Sequence, residues 1–274
     1  MALFINTNVA SEAAQKNLGA NQARLQNSFA RLSSGLRINS AKDDAAGLAI
    51  SESLKSQIRS FNVAERNASD GISMAQTAEG ALGEVHEILG RMRELATQAA
   101  NGSLTETDRG FLQTEFSSLQ DEITRIQDSA KFNGRALVGA TTTAITLQVG
   151  LDNTASDQIA VNLGGVSLGG IGSASLSGST TSGALSALDS IDTAIGNVST
   201  SRATFGAAMN RLETAQSSIQ TMRLNLSAAN SRIRDVDVAS ETAALSRNQV
   251  LTQAGVSVLA QANQLPQLAF GLLG

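Results

Sequence analysis

Seven apolar positions recur at seven-residue intervals without a break: Leu54, Phe61, Ala68, Ala75, Leu82, Leu89 and Ala96. Companions three or four residues further on, such as Ile58, Ile72, Ala78, Val85, Met92 and Ala99, widen this row into a seam. A seven-residue period keeps one face of an α-helix against a partner over many turns. The segment therefore predicts a long helix packed lengthwise on other helices, ending at Asn101-Gly102.

Suitable partners are present in the chain. Thr105 to Asp108 has the Thr-x-x-Asp form of a helix-opening cap. Behind it Leu112, Phe116, Leu119, Ile123, Ile126 and Ala130 alternate steps of four and three, and Asn133-Gly134 is expected to close this second helix. A third stripe runs through Leu212, Ala215, Ile219, Met222, Leu226, Ala229, Ile233 and Val236, and is traceable back through Phe205, Val198 and Ile195 to Leu188 and Leu185. The opposite face of that helix, including Arg223 and Asn230, is expected to look outward. Aromatic content of 3%, with 8 Phe and neither Trp nor Tyr, is too low for a thick aromatic core. Ala, Leu, Ile and Val suit thin seams between closely approaching helices. The single proline, Pro266, leaves long helices uninterrupted almost everywhere.

The middle of the chain changes character. Ile145, Leu147 and Val149 alternate with polar or small residues, as do Ile159, Val161 and Leu163, which predicts two strands joined by the turn-rich Gly150–Asp157. Residues 164–183 carry no charge and are rich in Gly, Ser and Thr; they are expected to form an exposed loop. At the extremities, residues 9–36 and 240–265 each carry one apolar stripe on an otherwise polar helix. Neither stripe buries enough surface, at about 25 cal/mol per Å², to offset ordering some 30 residues at about 1–2 kcal/mol each. Such ends are expected to gain order only when partners surround them. The fold class is mainly α: a long coiled-coil-like bundle formed by both chain ends, with a small β-hairpin region in the middle.

Several chemistries are excluded. A formal net charge of −4, with no basic block, argues against nucleic acid as a partner. No cysteine is present, so there is no disulfide framework or thiolate metal site. No stretch approaches the roughly 18 apolar residues of a membrane-spanning helix. The first cation is Lys16, and the N-terminal apolar run is too short for a secretory signal, so export is expected without a cleaved signal peptide. His86-Glu87 begins like a zinc-peptidase helix, but position 90 is Gly where the second His is required. Asp43-Asp44 is a helix start rather than an acid/base pair, because carboxylates favour helix N-termini. Gly35 is a hinge or cap. The Gly-Gly pairs at 164–165 and 169–170 lack the Lys-Ser/Thr of a phosphate loop. No catalytic residue, metal site or cofactor is expected.

Arg31-Leu-Ser-Ser-Gly-Leu-Arg-Ile-Asn-Ser-Ala-Lys-Asp-Asp-Ala-Ala-Gly47 resembles bacterial flagellin. The resemblance continues through Arg66-Asn-Ala-Ser-Asp-Gly-Ile-Ser-Met-Ala-Gln-Thr-Ala-Glu-Gly-Ala-Leu82 and returns in Ser257-Val-Leu-Ala-Gln-Ala-Asn-Gln-Leu-Pro-Gln267. It implies a short flagellin without large outer domains. Residues 1–43 and 237–274 would form a terminal helical core, and 44–236 a helical rod carrying the hairpin and loop at about 135–183. The function implied is that of the subunit which polymerises helically into the flagellar filament for swimming. A hook–filament junction protein is the alternative, and a cytoplasmic coiled-coil signalling module is a more remote one. Rod packing is expected at Leu54, Phe61, Leu82, Leu89, Leu112, Phe116, Leu119, Ile123, Leu212, Ile219, Leu226 and Ile233. Filament-core packing is expected at Leu18, Leu25, Phe29, Leu32, Leu251, Val258, Leu259 and Leu265. The resemblance further implies an extracellular location and, as partners, other copies of the chain, the flagellar export apparatus, an export chaperone, and filament cap and junction proteins. The stretch Leu89-Gly-Arg-Met-Arg-Glu-Leu-Ala-Thr-Gln98 is similar to the segment recognised by the vertebrate flagellin-sensing Toll-like receptor, with Glu115 on the neighbouring helix. Arg91, Leu95 and Glu115 are thereby expected in a subunit contact and in that receptor surface.

Overall fold

The structure, a computed structural model, describes residues 7–139, 143–164, 166, 168 and 170–271, with side chains as far as residue 264. Its elements in order are α1 (Val9–Ser34), α2 (Ala45–Ala99), α3 (Glu106–Ser129), β1 (Lys131–Phe132), β2 (Arg135–Ala136), β3 (Thr143–Gln148), β4 (Gln158–Leu163), α4 (Ser182–Arg234) and α5 (Val238–Gly271). Packing divides the chain into two units, Met1–Ser56 with Asn225–Gly274, and Gln57–Leu224.

In the Gln57–Leu224 unit, the seven-residue row of α2 lies inward. Phe61, Ala68, Ala75, Leu82, Leu89 and Ala96 are buried, as are Ala78, Val85, Met92 and Ala99. Helix α3 contributes Phe116 and Ile123, with Leu112 and Leu119 half-buried; α4 contributes Ile191, Val198, Phe205, Leu212 and Ile219. Both α3 and α4 run antiparallel to α2. Arg91 meets Glu115 at 2.9 Å, while Arg93 meets Asp192, Arg202 meets Glu79 and Arg223 meets Glu65 at 2.7, 2.7 and 2.8 Å. The α3 start is the expected capping box, with Thr105 and Asp108 each receiving the other's backbone N–H.

The β3–β4 hairpin pairs Thr143 with Leu163 through to Gln148 with Gln158, and buries Ile159, Val161 and Leu163 while Ala160 and Asn162 face out. It seats on α2 where Asn67 Nδ2 donates to the Gln148 carbonyl at 2.9 Å. Gly71 makes that seat. A Cβ there would lie 2.2 Å from Leu147 Cδ1 and 3.1 Å from Leu212 Cδ1.

Three sequence expectations need correction. Asn133-Gly134 does not close α3, which ends at Ser129; with φ of 48° and 78° the pair forms the tight turn of a second hairpin, β1–β2. Asn-Gly is the preferred pair for a two-residue turn with both φ positive. Nor is 164–183 simply an exposed loop. Val166, Ile171 and Leu176 are buried, and α3 straps the segment down: Gln120 donates to the carbonyls of Ile171 and Ala174, and Gln113 accepts from the Leu176 N–H. Finally, the α4 stripe does not take in every expected position near residue 222. Met222 is 49% exposed, Arg223 turns inward to Asn62 and Glu65, and Asn230 is half-buried with its Oδ1 enclosed. Ala184, Ile191, Val198, Phe205, Leu212 and Ile219 are buried at seven-residue spacing, so the face is kept, and the long Arg223 stem reaches back to it from its edge.

Arg109 is 3% exposed, and its guanidinium donates to three carbonyls, those of Ala99, Asn101 and Gly178, at 3.0, 3.3 and 3.3 Å. A cation on the last carbonyls of α2 complements the negative end of the helix dipole. It also ties the α2–α3 turn to the strap.

In the other unit, α1 and α5 run antiparallel. Asn8 Nδ2 donates to the Ala262 carbonyl, and Ser11 Oγ to Asn263 Oδ1, both at 2.7 Å. Gly255 faces Leu18, whose Cδ1 would be 3.3 Å from an added Cβ. Gly35 ends α1 in the left-handed conformation at φ 71°. Its carbonyl accepts from Val236 N–H at 3.0 Å, and Arg37 N–H donates to the Arg234 carbonyl at 2.6 Å, so the two connectors run together as a short antiparallel bridge. Asp44 Oδ1 accepts from Gly47 N–H at 2.8 Å and caps α2. Asp43 Oδ2 accepts from the N–H groups of Ser40 and Asn39 and from the Ser40 hydroxyl. Those donors, with Arg31 nearby, hold the Asp43 carboxyl below its usual range.

Leu89→Ala is expected to destabilise the chain by about 2–5 kcal/mol and the half-buried Leu226→Ala by less, as read from monomer melting. Arg109→Met should lower the melting temperature as well, because about 1–3 kcal/mol accompanies a buried acceptor left without a donor. A third expectation concerns acid. Because the folded pKa of Asp43 is depressed, its contribution to stability is full above the unfolded value near 3.9 and is lost as pH falls through the lower folded value. Asp43→Asn should flatten the fall of melting temperature with acidification below about pH 4, relative to the unmodified chain.

Candidate functional site: the assembly surfaces

The pair α1 and α5 combines small and polar buried groups with half-buried leucines, Leu18, Leu25, Leu32, Leu245 and Leu259. Ser11, Ser28 and Ala262 are buried in that unit, and Gly255 admits Leu18. Small residues allow close approach, and the seryl hydroxyls and amides find partners across it. Several other apolar side chains of the same two helices are exposed: Val9, Phe29, Val238, Val250, Leu251, Val256 and Val258. Isolated exposed apolar residues are ordinary, whereas seven on one helix pair mark a candidate interaction surface.

Of the residues expected at the filament core, Phe29, Leu251 and Val258 are exposed, while Leu18, Leu25, Leu32 and Leu259 are half-buried. Leu265 lies in α5, and its side chain falls outside the described residues. Of those expected in the rod, Phe61, Leu82, Leu89, Phe116, Ile123, Leu212 and Ile219 are buried, and Leu54, Leu112, Leu119, Leu226 and Ile233 are half-buried.

At the surface expected around Arg91, the guanidinium spans Glu115 and Glu94 at 2.9 and 2.8 Å, and all three side chains are largely solvent-accessible. The two carboxylates raise the Arg91 pKa above its ordinary value, the hydrogen bond to Glu115 being the largest cause. Leu95 is 2% exposed, so it supports this surface from the core and does not face solvent. The nearby hollow of about 550 Å³, lined by Gly90, Arg93, Glu94, Thr97, Gln98, Asn101 and Leu104, is open and shallow.

His86 is half-buried with Nδ1 enclosed and without a hydrogen-bond partner. No group of three or more His, Cys, Asp or Glu able to hold a metal ion occurs among the described residues. No described helix is long and apolar enough to cross a membrane. Sequence reasoning missed Arg109 and the strap. An arginine following a capping box reads as a solvated side chain, and nothing local signals that three carbonyls converge on it.

The profile of the bacterial flagellin N-terminal helical region matches residues 5–143, and that of the C-terminal helical region matches residues 188–273. The chain is 46% identical over 271 residues to the flagellin of Halalkalibacterium halodurans, covering 99% of this chain and 100% of the relative. It is 41% identical over 308 residues to the flagellin of Bacillus subtilis, covering 98% and 99% of the two chains. It is also 41% identical over 284 residues to a flagellar filament 30.7 kDa core protein of Treponema maltophilum. The crystal structure of Bacillus cereus flagellin aligns with a TM-score of 0.50 at 33% identity, covering 60% of this chain and 94% of that one. A Vibrio parahaemolyticus structure assigned to the flagellar hook-associated class aligns with a TM-score of 0.60 at 18% identity, covering 70% of this chain, which is a likeness of fold alone. With full-length identity to flagellins at both ends and through the middle, the chain belongs to the bacterial flagellin family.

Proposed function

We propose that this flagellin builds its filament by burying, between copies, the apolar side chains that α1 and α5 leave exposed. As a member of its family the chain is a structural subunit of the extracellular flagellar filament, whose general role is motility, and it is not an enzyme. The carrying observation is the set of large apolar side chains that the terminal pair leaves exposed, among them Phe29, Val250, Leu251 and Val258. Burial of that exposed area stabilises association at about 25 cal/mol per Å² and needs no further chemistry. The rod, fixed by the α2 seam, would supply a stiff body through which torque is transmitted. Leu18, Leu25, Phe29, Leu32, Leu251, Val258, Leu259 and Leu265 are the residues assigned to the filament core.

Subunits would leave through the flagellar export apparatus in unfolded form, with the terminal segments held by an export chaperone and the filament bounded by cap and junction proteins. A hook–filament junction role is disfavoured, because the flagellins align over the full chain at 41–46% identity. The Arg91–Glu94–Glu115 surface is the proposed subunit contact and the surface for the vertebrate flagellin-sensing receptor, with Leu95 beneath it.

Removal of residues 1–30 or 245–274 is expected to leave a partly helical monomer that does not elongate filament seeds, as seen by electron microscopy. Val250→Asn with Val258→Asn is the finer test. Both side chains are exposed in the chain, so monomer stability should change by less than about 0.5 kcal/mol. Seeded elongation should nonetheless stop. Normal filaments from this variant would overturn the assignment of these exposed side chains.

A further inference from the structure

The Gln57–Leu224 unit is polarised in charge along its length. Between residues 84–128 and 182–195, Asp and Glu outnumber Arg by eleven to four. At the other end of the same helices, residues 57–83 and 202–224, the balance is four to five. Ion pairs within the unit absorb part of each set. Among the charges left exposed outside them are two matched pairs, Arg59 and Arg66 on α2, and Asp121 and Asp128 on α3. Among the described residues none of these four enters an ion pair within the chain.

The spacing agrees. Each pair is seven residues apart, which at 1.5 Å per residue is about 10.5 Å along one face of a helix. The arginine pair also flanks an exposed apolar side chain, Val63 at 46%. Because α2 and α3 are antiparallel, a second copy displaced along the rod would bring its α3 against α2 in antiparallel sense. Arg59 would then face Asp128, and Arg66 would face Asp121. The contact is heterologous, joining two different patches, so it repeats head to tail into an open polymer and does not close into a dimer.

From this charge match we infer that the Arg59–Val63–Arg66 stripe docks on the Asp121–Asp128 stripe of a second copy of the chain. The inference rests on the filament reading above and names a contact within it. Complementary charge across such a contact sets register and rate of association, and juxtaposed like charge opposes it strongly.

The test uses the full chain elongating on sonicated filament seeds, followed by light scattering and electron microscopy. One variant carries R59D and R66D, the other D121R and D128R. Circular dichroism and melting of both monomers should match the unmodified chain, since all four positions are exposed. Each variant alone should elongate about tenfold or more slowly. An equimolar mixture should recover to within about threefold of the unmodified rate, since alternating copies restore opposite charge at every contact. A mixture as slow as either variant, with both monomers folded, overturns the stripe pairing. Should a reversal unfold the chain, R59Q/R66Q and D121N/D128N replace the charge reversals. The neutral variants combined should then slow elongation no more than either alone, and additive losses overturn the pairing. Failure of the unmodified chain to elongate would instead count against the filament reading itself.

Discussion

Alanine sets the distance at which the helices of the rod meet. On α2 the buried Ala64, Ala68, Ala75 and Ala78 precede the larger Leu82, Val85, Leu89 and Met92, with Ala96 and Ala99 beyond them, and α4 answers with Ala184, Ala187, Ala194 and Ala208. A seam of this kind brings backbones close and buries little area per turn, so stability has to accumulate with length. That is why α2 runs 55 residues and α4 runs 53, far beyond an ordinary globular helix. Phe116 and Phe205 are the largest side chains wholly enclosed in the unit. The hairpin depends on the same closeness, since Leu147 reaches α2 only because position 71 has no Cβ.

The terminal pair is built more thinly. Ser11, Ser28 and Ala262 are its buried residues, Leu18, Leu25, Leu32 and Leu259 are only half-buried, and Asn8 and Ser11 add hydrogen bonds across it. Net hydrogen-bond contributions are modest, about 0.5–1.5 kcal/mol each, so such a pair has a thin margin against about 1–2 kcal/mol of ordering entropy per residue. Several of its other apolar groups, such as Phe29, Leu251 and Val258, are exposed.

Much of this was legible before any coordinates. The seven-residue row of α2, the Thr105–Asp108 capping box and the alternation in β4 are local periodic signals, and each reappears in the structure with the expected face inward. What could not be read was non-local. Residues 164–183 look like a loop by composition, and their anchors, Gln113, Gln120 and Arg109, sit on a helix some 50 to 70 residues away in the chain. Asn133-Gly134 was ambiguous for a related reason. The pair suits both a helix end and a two-residue hairpin turn, and only pairing of Lys131 with Ala136 decides between them. At the candidate surface, Arg91 and Glu115 were legible as a pair, whereas the burial of Leu95 depends on its phase against two other helices. Arg223 was not legible either, because a long side chain at the edge of the outward face reaches back to Asn62 and Glu65.

That reach of Arg223 bears on the role of the interhelical ion pairs. Arg202–Glu79, Arg93–Asp192 and Arg223–Glu65 join α4 to α2 at three well-separated levels, each with substantial solvent access. Exposed pairs of this kind contribute about 0–1 kcal/mol, so they do not hold the rod together. A smooth alanine seam, however, distinguishes poorly between one register and another shifted by a turn. Charges at fixed levels do distinguish, because a slip of one turn separates every pair at once and sets arginines against apolar surface. The hydrophobic row therefore brings the helices together, and the ion pairs select which rotation and register they adopt. A subunit that must present the same outer surface in every copy of a long polymer requires that selection more than it requires additional stability.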